Sequence, residues 1–217
     1  MIQHKNIDIE SWNRREQYQF FRNYDNPFFG LVAEVDVTKL LAYTRKSGYS
    51  FFAAYLFASQ QQANSIPEFR YRIKDGAVVD YSYVVAGSTV LKQNNVFTFC
   101  YFDHFSSFRD FNTHVRDQIA NCRQPDIRLE DRDDDLAQIH YSVIPWVNFS
   151  SIMHPRNYGT NDSIPKIVFG KYESRAGRML MPISVDVHHA LLDGFHVGLY
   201  FEGFQKRIND PEPLLES

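Results

Sequence analysis

The 217-residue chain is 44% hydrophobic, enough to bury a sizeable core at a length that suits one domain over residues 1–217. A net charge of −3 with interspersed signs leaves no basic stripe for nucleic acid and no polybasic anchor for a membrane, so a small-molecule or protein partner is expected. Only two cysteines, an N-terminus without an apolar signal segment, and no run approaching the roughly 18 apolar residues of a membrane span argue against a disulfide scaffold, secretion and a membrane span, and for the cytoplasm.

In chain order, KNIDIESW alternates like a short strand, and Ser11 is placed to cap a helix through WNRREQYQFF that ends before Pro27. FFGLVAEVDV (28–37) alternates at period two and reads as a strand. Asp36 or Thr38 can cap a short helix through KLLAYTRKS, with Gly48 as its stop and a more apolar helix following over 51–63. Residues 68–103 read as strands throughout: FRYRI, a Lys74-Asp75-Gly76 turn, AVVDYSYVVAGSTVL, and VFTFCYF after Asn94-Asn95. A helix over 107–122 puts Phe108, Phe111, Val115 and Ile119 on one stripe, and the acidic run LEDRDDD (129–135) reads as a solvated loop rather than a metal site. Strands return in IHYSVIPWVNFSS, KIVFGKY and MLMPISVDVHH, before a last helix through GFHVGLYFEGFQKRI. The expected fold is α/β: a single domain of two layers, a mixed β-sheet with covering helices.

Three of the eight histidines fall within HHALLDGFH, 188–196. The strand leading into them sends His188 and His189 to opposite faces. Gly194 after Asp193 suits a sharp connection from strand to helix, the kind of rigid, loop-adjacent place that holds catalytic groups. Three readings stand on the residues alone. The histidines are packed and satisfied by backbone carbonyls; or His189, Asp193 and His196 bind a metal, at a spacing that is no established zinc pattern; or one histidine is a general base.

The string resembles the H-H-x-x-x-D-G-F-H signature of the chloramphenicol acetyltransferases. The likeness runs along nearly the whole chain: WNRRE (12–16) is similar to that family's N-terminal helix, YSVIPWVNF (141–149) to its S-x-x-P-W-V-N-F strand, and GKY (170–172) stands at the matching distance before the histidines. The resemblance implies a trimeric, acetyl-CoA-dependent O-acetyltransferase without a metal. In it His189 takes the proton of an acceptor hydroxyl, which attacks the thioester directly with no acyl-enzyme, and Ser142 donates to the oxyanion. It implies further that Asp193 pairs with Arg14 to hold the histidine loop, that Trp146, Lys171 and Tyr172 bind the coenzyme, and that Phe20 and Phe21 belong to the acceptor side. Each active site then lies between two subunits.

Some positions depart from the family pattern. Phe20-Phe21 stands where a Phe-Tyr is usual, NPFFG (26–30) replaces a Pro-Cys-Gly-Phe segment, Val168 replaces a threonine and Met153 an asparagine, and a lysine and tyrosine near the coenzyme are lost around Ser50 and Phe52. These changes bear on the acceptor rather than on the base. Alternatives are an acyltransferase for a different alcohol or thiol, among them the dihydrolipoamide acyltransferase cores, disfavoured by the lack of a lipoyl domain and linker; the longer peptide-synthetase condensation domains; and a non-catalytic small-molecule binder on the same fold.

Overall fold

A computed structural model describes residues 2–124, 126–129, 136–156 and 162–216. The acidic run read as a solvated loop lies outside the described residues from 130 to 135. The elements follow in the order β1 (His4–Asn6), α1 (Arg15–Phe21), β2 (Phe28–Asp36), α2 (Thr38–Ser47), α3 (Phe51–Asn64), a 3-10 turn (Pro67–Arg70), β3 (Tyr71–Lys74), β4 (Ala77–Tyr81), β5 (Val85–Leu91), β6 (Phe97–Phe102), α4 (Phe108–Cys122), β7 (Gln138–Ile144), β8 (Lys166–Gly170), β9 (Glu173–Arg175), β10 (Arg178–His188), α5 (Gly194–Asn209) and α6 (Pro211–Leu215). The main sheet runs β2-β10-β8-β7-β5-β6, with β9 beside β10, and a small second sheet runs β1-β4-β3. The main sheet is mixed: β8, β7 and β5 are parallel, and the other pairs antiparallel.

Alternation decides which face is buried. Met181, Ile183, Val185 and Val187 of β10 join the core, with Ile167 and Phe169 of β8 and Ile139 and Tyr141 of β7. The helices pack on that face: Tyr55 of α3 lies 4.5 Å from Phe169, and Ser59 Oγ of α3 contacts both Tyr141 and Tyr200 hydroxyls, at 3.0 and 2.7 Å. Where α3 and α5 cross, a side chain on Gly203 would collide with the Gln62 amide, which donates to Leu199 O and accepts from Arg207 Nε. The intervening residues of the sheet, among them Ser142, Val168, Ser184 and Asp186, face the other way.

Four expectations need correction. The first helix does not start at Ser11, whose hydroxyl is turned back to Asp8 Oδ2 at 2.8 Å; residues 9–14 form turns, and Arg14 is the N-cap without using its side chain as a cap. Phe69 and Arg70 belong to the 3-10 turn that Pro67 opens, so the strand begins at Tyr71. AVVDYSYVVAGSTVL is two strands in different sheets: Val84 N donates to Asn64 Oδ1 and Val85 N to Ala137 O, and these bonds carry the chain from one sheet to the other. The β7 and β8 segments stop at Ile144 and Gly170, the first because Pro145 has no N–H to continue the ladder. Asp36, one of the two expected caps of α2, stands one residue before its N-cap Val37 and accepts from Thr38 N, at the first helical residue, at 3.0 Å.

Candidate active site

β10 ends at His188, and the chain turns through 189–193 into α5. His189 is held by four contacts. Its backbone N–H donates to Pro27 O at 2.7 Å, and its ring stacks on Phe21 with centroids 4.0 Å apart and planes 6° from parallel. Phe29 closes the side at 4.5 Å, and Nδ1 lies 3.2 Å from Leu192 O. A carbonyl only accepts, so the contact calls for the proton on Nδ1, and in the neutral ring Nε2 then presents a lone pair. That is the tautomer a general base needs.

His188 behaves differently. It is buried, edge-on to Phe28 at 5.0 Å, and its Nδ1 accepts from Ala190 N at 3.2 Å. Burial pushes its pKa down to about 4, which keeps the ring neutral.

Asp193 caps α5, taking the Phe195 N–H on Oδ1, and its Oδ2 is 2.6 Å from Arg14 Nη1. Burial works to raise this carboxyl, but the Arg14 hydrogen bond and the Arg14 charge hold it below its ordinary value. Arg14 and Asp193 therefore tie the start of α1 to the turn that carries His189. His189, Asp193 and His196 do not converge on a common point, since the Asp193 carboxylate is committed to Arg14 and the α5 cap. Among the described residues no group of three or more His, Cys, Asp or Glu has a metal-holding arrangement.

Ser142 lies on the helix-free face of β7, partly buried, and its hydroxyl makes no hydrogen bond with the described residues. It pairs with Val168, which pairs with Ser184, five residues before His189. Two strand spacings and five residues of strand separate Ser142 from His189 by roughly 15–20 Å. One chain does not bring them together.

Trp146, Lys171 and Tyr172 collect where β7 and β8 end, at the edge of the sheet away from His189. Trp146 is 64% exposed, Lys171 N donates to Val147 O, and Tyr172 meets Phe51 at the start of α3 edge to face at 5.7 Å. Ser50 caps that helix, accepting from Ala53 N, and the nearby Phe52 packs against Tyr55. An indole, an ammonium and a phenol at one exposed edge suit a ligand with both a ring system and phosphates. On the acceptor side Phe20 is 62% exposed and leans on Phe21, so the ring that clamps His189 is continuous with an open apolar surface.

The helix-free face also holds a pocket that sequence reasoning missed. The segment after β7 folds back over β2 and β10, enclosing a space lined by Phe28, Gly30, Met153, His154, Ser184 and Asp186. Its wall is ionic: Arg156 is hydrogen-bonded to Asp186, lies 3.2 Å from Asp162 Oδ2, and stacks on Phe28 with its guanidinium 3.8 Å from the ring centre. No signal short of the fold reveals this cluster, since Arg156 and Asp186 lie 30 residues apart.

The family model for chloramphenicol acetyltransferase matches residues 2–205. The chain belongs to the chloramphenicol acetyltransferase family. Relatives carrying that name include a Klebsiella protein, 28% identical over 207 residues covering 94% of this chain and 93% of the relative. Chloramphenicol acetyltransferase 3 of Escherichia coli is 28% identical over 94% of this chain and 96% of its own. A solved chloramphenicol acetyltransferase superposes with a TM-score of 0.89 at 32% identity, over 95% of this chain and 100% of that one. The Azotobacter vinelandii dihydrolipoamide acetyltransferase shares the fold at a TM-score of 0.68 and 14% identity, over 92% of this chain and 88% of its own. As a family member the protein is an acetyl-CoA-dependent acetyltransferase with the single-domain α/β fold read from its sequence. Among the described residues no helix is long and apolar enough to cross a membrane.

Proposed function

We propose that the protein, as one domain over residues 1–217, moves an acetyl group from acetyl-CoA to a hydroxyl of chloramphenicol or a similar small alcohol. His189 is the general base and Ser142 the oxyanion donor. The observation that carries this reading is the setting of His189: Nδ1 lies 3.2 Å from Leu192 O and the ring is clamped flat on Phe21, an arrangement that in the neutral ring leaves Nε2 to accept a proton. Acetyl-CoA supplies the acyl group as a thioester, and Trp146, Lys171 and Tyr172 are the residues that suit its binding. His189 Nε2 takes the acceptor hydroxyl proton as the oxygen attacks the thioester carbonyl, and returns it to the departing thiol sulfur. Ser142 donates to the carbonyl oxygen as it gains charge, a contribution of order 2.7–4 kcal/mol for such a donor. No metal takes part in this scheme.

The separation of Ser142 from His189 within one chain supports a homotrimer in which His189 of one copy works with Ser142 of its neighbour. A cytoplasmic setting suits a small alcohol acceptor and two free cysteines.

The pocket wall favours a second reading of the acceptor. Phe21 offers no hydroxyl, Met153 is almost wholly exposed, and Asp186 and Arg156 make the wall polar, which suits an alcohol other than chloramphenicol. Free thiol released from acetyl-CoA by the purified protein tests both. Release with chloramphenicol that His189→Ala abolishes supports the full proposal. Release confined to other alcohols moves the acceptor, and no release with any alcohol despite normal ligand binding leaves a non-catalytic binder.

A further inference from the structure

His196, the last of the three clustered histidines, has no part in the scheme above, yet its side chain is turned into it. It stands at the third position of α5, buried, where a capping box usually carries Glu or Gln. Its Nδ1 accepts from the backbone N–H of Asp193 at 3.2 Å, and its Nε2 lies 3.5 Å from Glu68 Oε1. Glu68, in the 3-10 turn before β3, has 21% of its side chain exposed. Burial works to raise its carboxyl, but hydrogen bonding and the nearby Arg14 guanidinium hold it below its ordinary value, so it stays an acceptor.

The N–H that His196 accepts and the C=O that holds His189 are the two ends of one peptide group, between Leu192 and Asp193. A continuous line of polar contacts results: His196 Nε2 against Glu68 Oε1 at 3.5 Å, Asp193 N–H to His196 Nδ1 at 3.2 Å, and His189 Nδ1 to Leu192 O at 3.2 Å. We infer that His196 is a positioning residue for the proposed base: it fixes the rotation of the Leu192–Asp193 peptide plane, and so the proton of His189 on Nδ1. The inference rests on the reading of His189 as base, and it accounts for why a histidine stands where a simple cap would do. Each bond in such a line polarises the next, and turning the plane removes the acceptor from His189 Nδ1. The ring then populates the other neutral tautomer, whose Nε2–H is no base.

The same His196 Nδ1 lies 2.9 Å from Asp193 Oδ1, the partner a protonated Nδ1 would choose. The line therefore requires neutral His196 with its proton on Nε2, which is directly observable. The experiment is 15N NMR of the histidine ring nitrogens at pH 7.5 in the full-length protein, wild type, His196→Phe and His196→Asn, beside acetyl transfer to chloramphenicol. In the wild type His189 is expected with Nδ1–H and His196 with Nε2–H. His196→Phe is expected to mix the His189 tautomers and to lower kcat roughly tenfold, the scale of one hydrogen bond, with KM for acetyl-CoA unchanged. His196→Asn, whose side-chain oxygen can take the Asp193 N–H, is expected to restore the tautomer and most of kcat, a rescue that a purely structural role would not require. A wild-type His196 that carries its proton on Nδ1 overturns the inference without any variant. So does a folded His196→Phe with His189 unchanged. If instead His189→Ala still transfers acetyl groups, the base assignment fails while the tautomer result stands or falls by itself.

Discussion

His188 and His189 are adjacent, yet their ring nitrogens face different partners: Nδ1 of the first accepts from Ala190 N, and Nδ1 of the second donates to Leu192 O. Proton uptake by His188 would place a charge in a buried site and lose that bond, which is why its pKa falls to about 4. The unfolded chain, with His188 at its ordinary value, binds more protons between that value and about 4. Stability from this group is therefore present at neutral pH and is lost as pH falls through the window, by roughly 2 kcal/mol between pH 7 and 5. Urea unfolding at the two pH values should show that loss in the wild type and a smaller one in His188→Phe; equal losses would place the acid sensitivity elsewhere. Asp193 is the other residue whose removal has a defined cost. Arg14 is 7% exposed, with Nε and Nη2 already lacking partners among the described residues, so Asp193→Ala strands a buried guanidinium. The loss should be about 3 kcal/mol or more, seen as a lower melting temperature together with lost acetyl transfer. An unchanged melting temperature would count against the structural role.

The strands and helices were largely legible because each element repeats its signal over several residues. The alternation of β10, the stripe of α4 and the stop at Gly48 all stand where the pattern puts them. What was illegible depends on partners far away in sequence. Ser11 carries the composition of a cap, but no sequence pattern says that its hydroxyl turns to Asp8 and that Arg14 is drawn to Asp193 instead. The β9–β10 hairpin shows local chemistry overruled in a smaller way. Its two-residue turn puts both Ala176 and Gly177 at positive φ, 50° and 77°, a geometry that suits glycine and asparagine and penalises a Cβ. Ala176→Asn should raise stability by about 0.5–1 kcal/mol without touching activity. Thermal unfolding checks this, and a lower melting temperature would mean that the left-handed conformation is not what the turn requires.

At the scale of the molecule the candidate site was legible as a list and illegible as a place. HHALLDGFH and SVIPWVNF name the proposed base and oxyanion donor, but only the ladder register shows them too far apart in one chain to serve one acceptor. The ionic wall of Arg156, Asp186 and Asp162 was missed altogether, since its members come from separate segments that resemble ordinary surface charges in sequence. The exposed rings support assembly as the way to bring the site together: Phe20 and Phe195, beside the histidine turn, are 62% and 69% exposed, and Trp146, at the far edge, is 64% exposed. Rotational assembly places one surface of each copy against a different surface of the next. It can therefore set the His189 end of one sheet against the Ser142 face of another. Complementation decides the matter. His189→Ala and Ser142→Ala should each be nearly inactive alone, because every site lacks one partner. Co-expressed and randomly mixed, about a quarter of the sites should pair an intact His189 with an intact Ser142 from the neighbour, and acetyl transfer should return to about that fraction of the wild type. If both groups served from the same copy, no mixture would contain a complete site, and activity would stay at the level of the single variants.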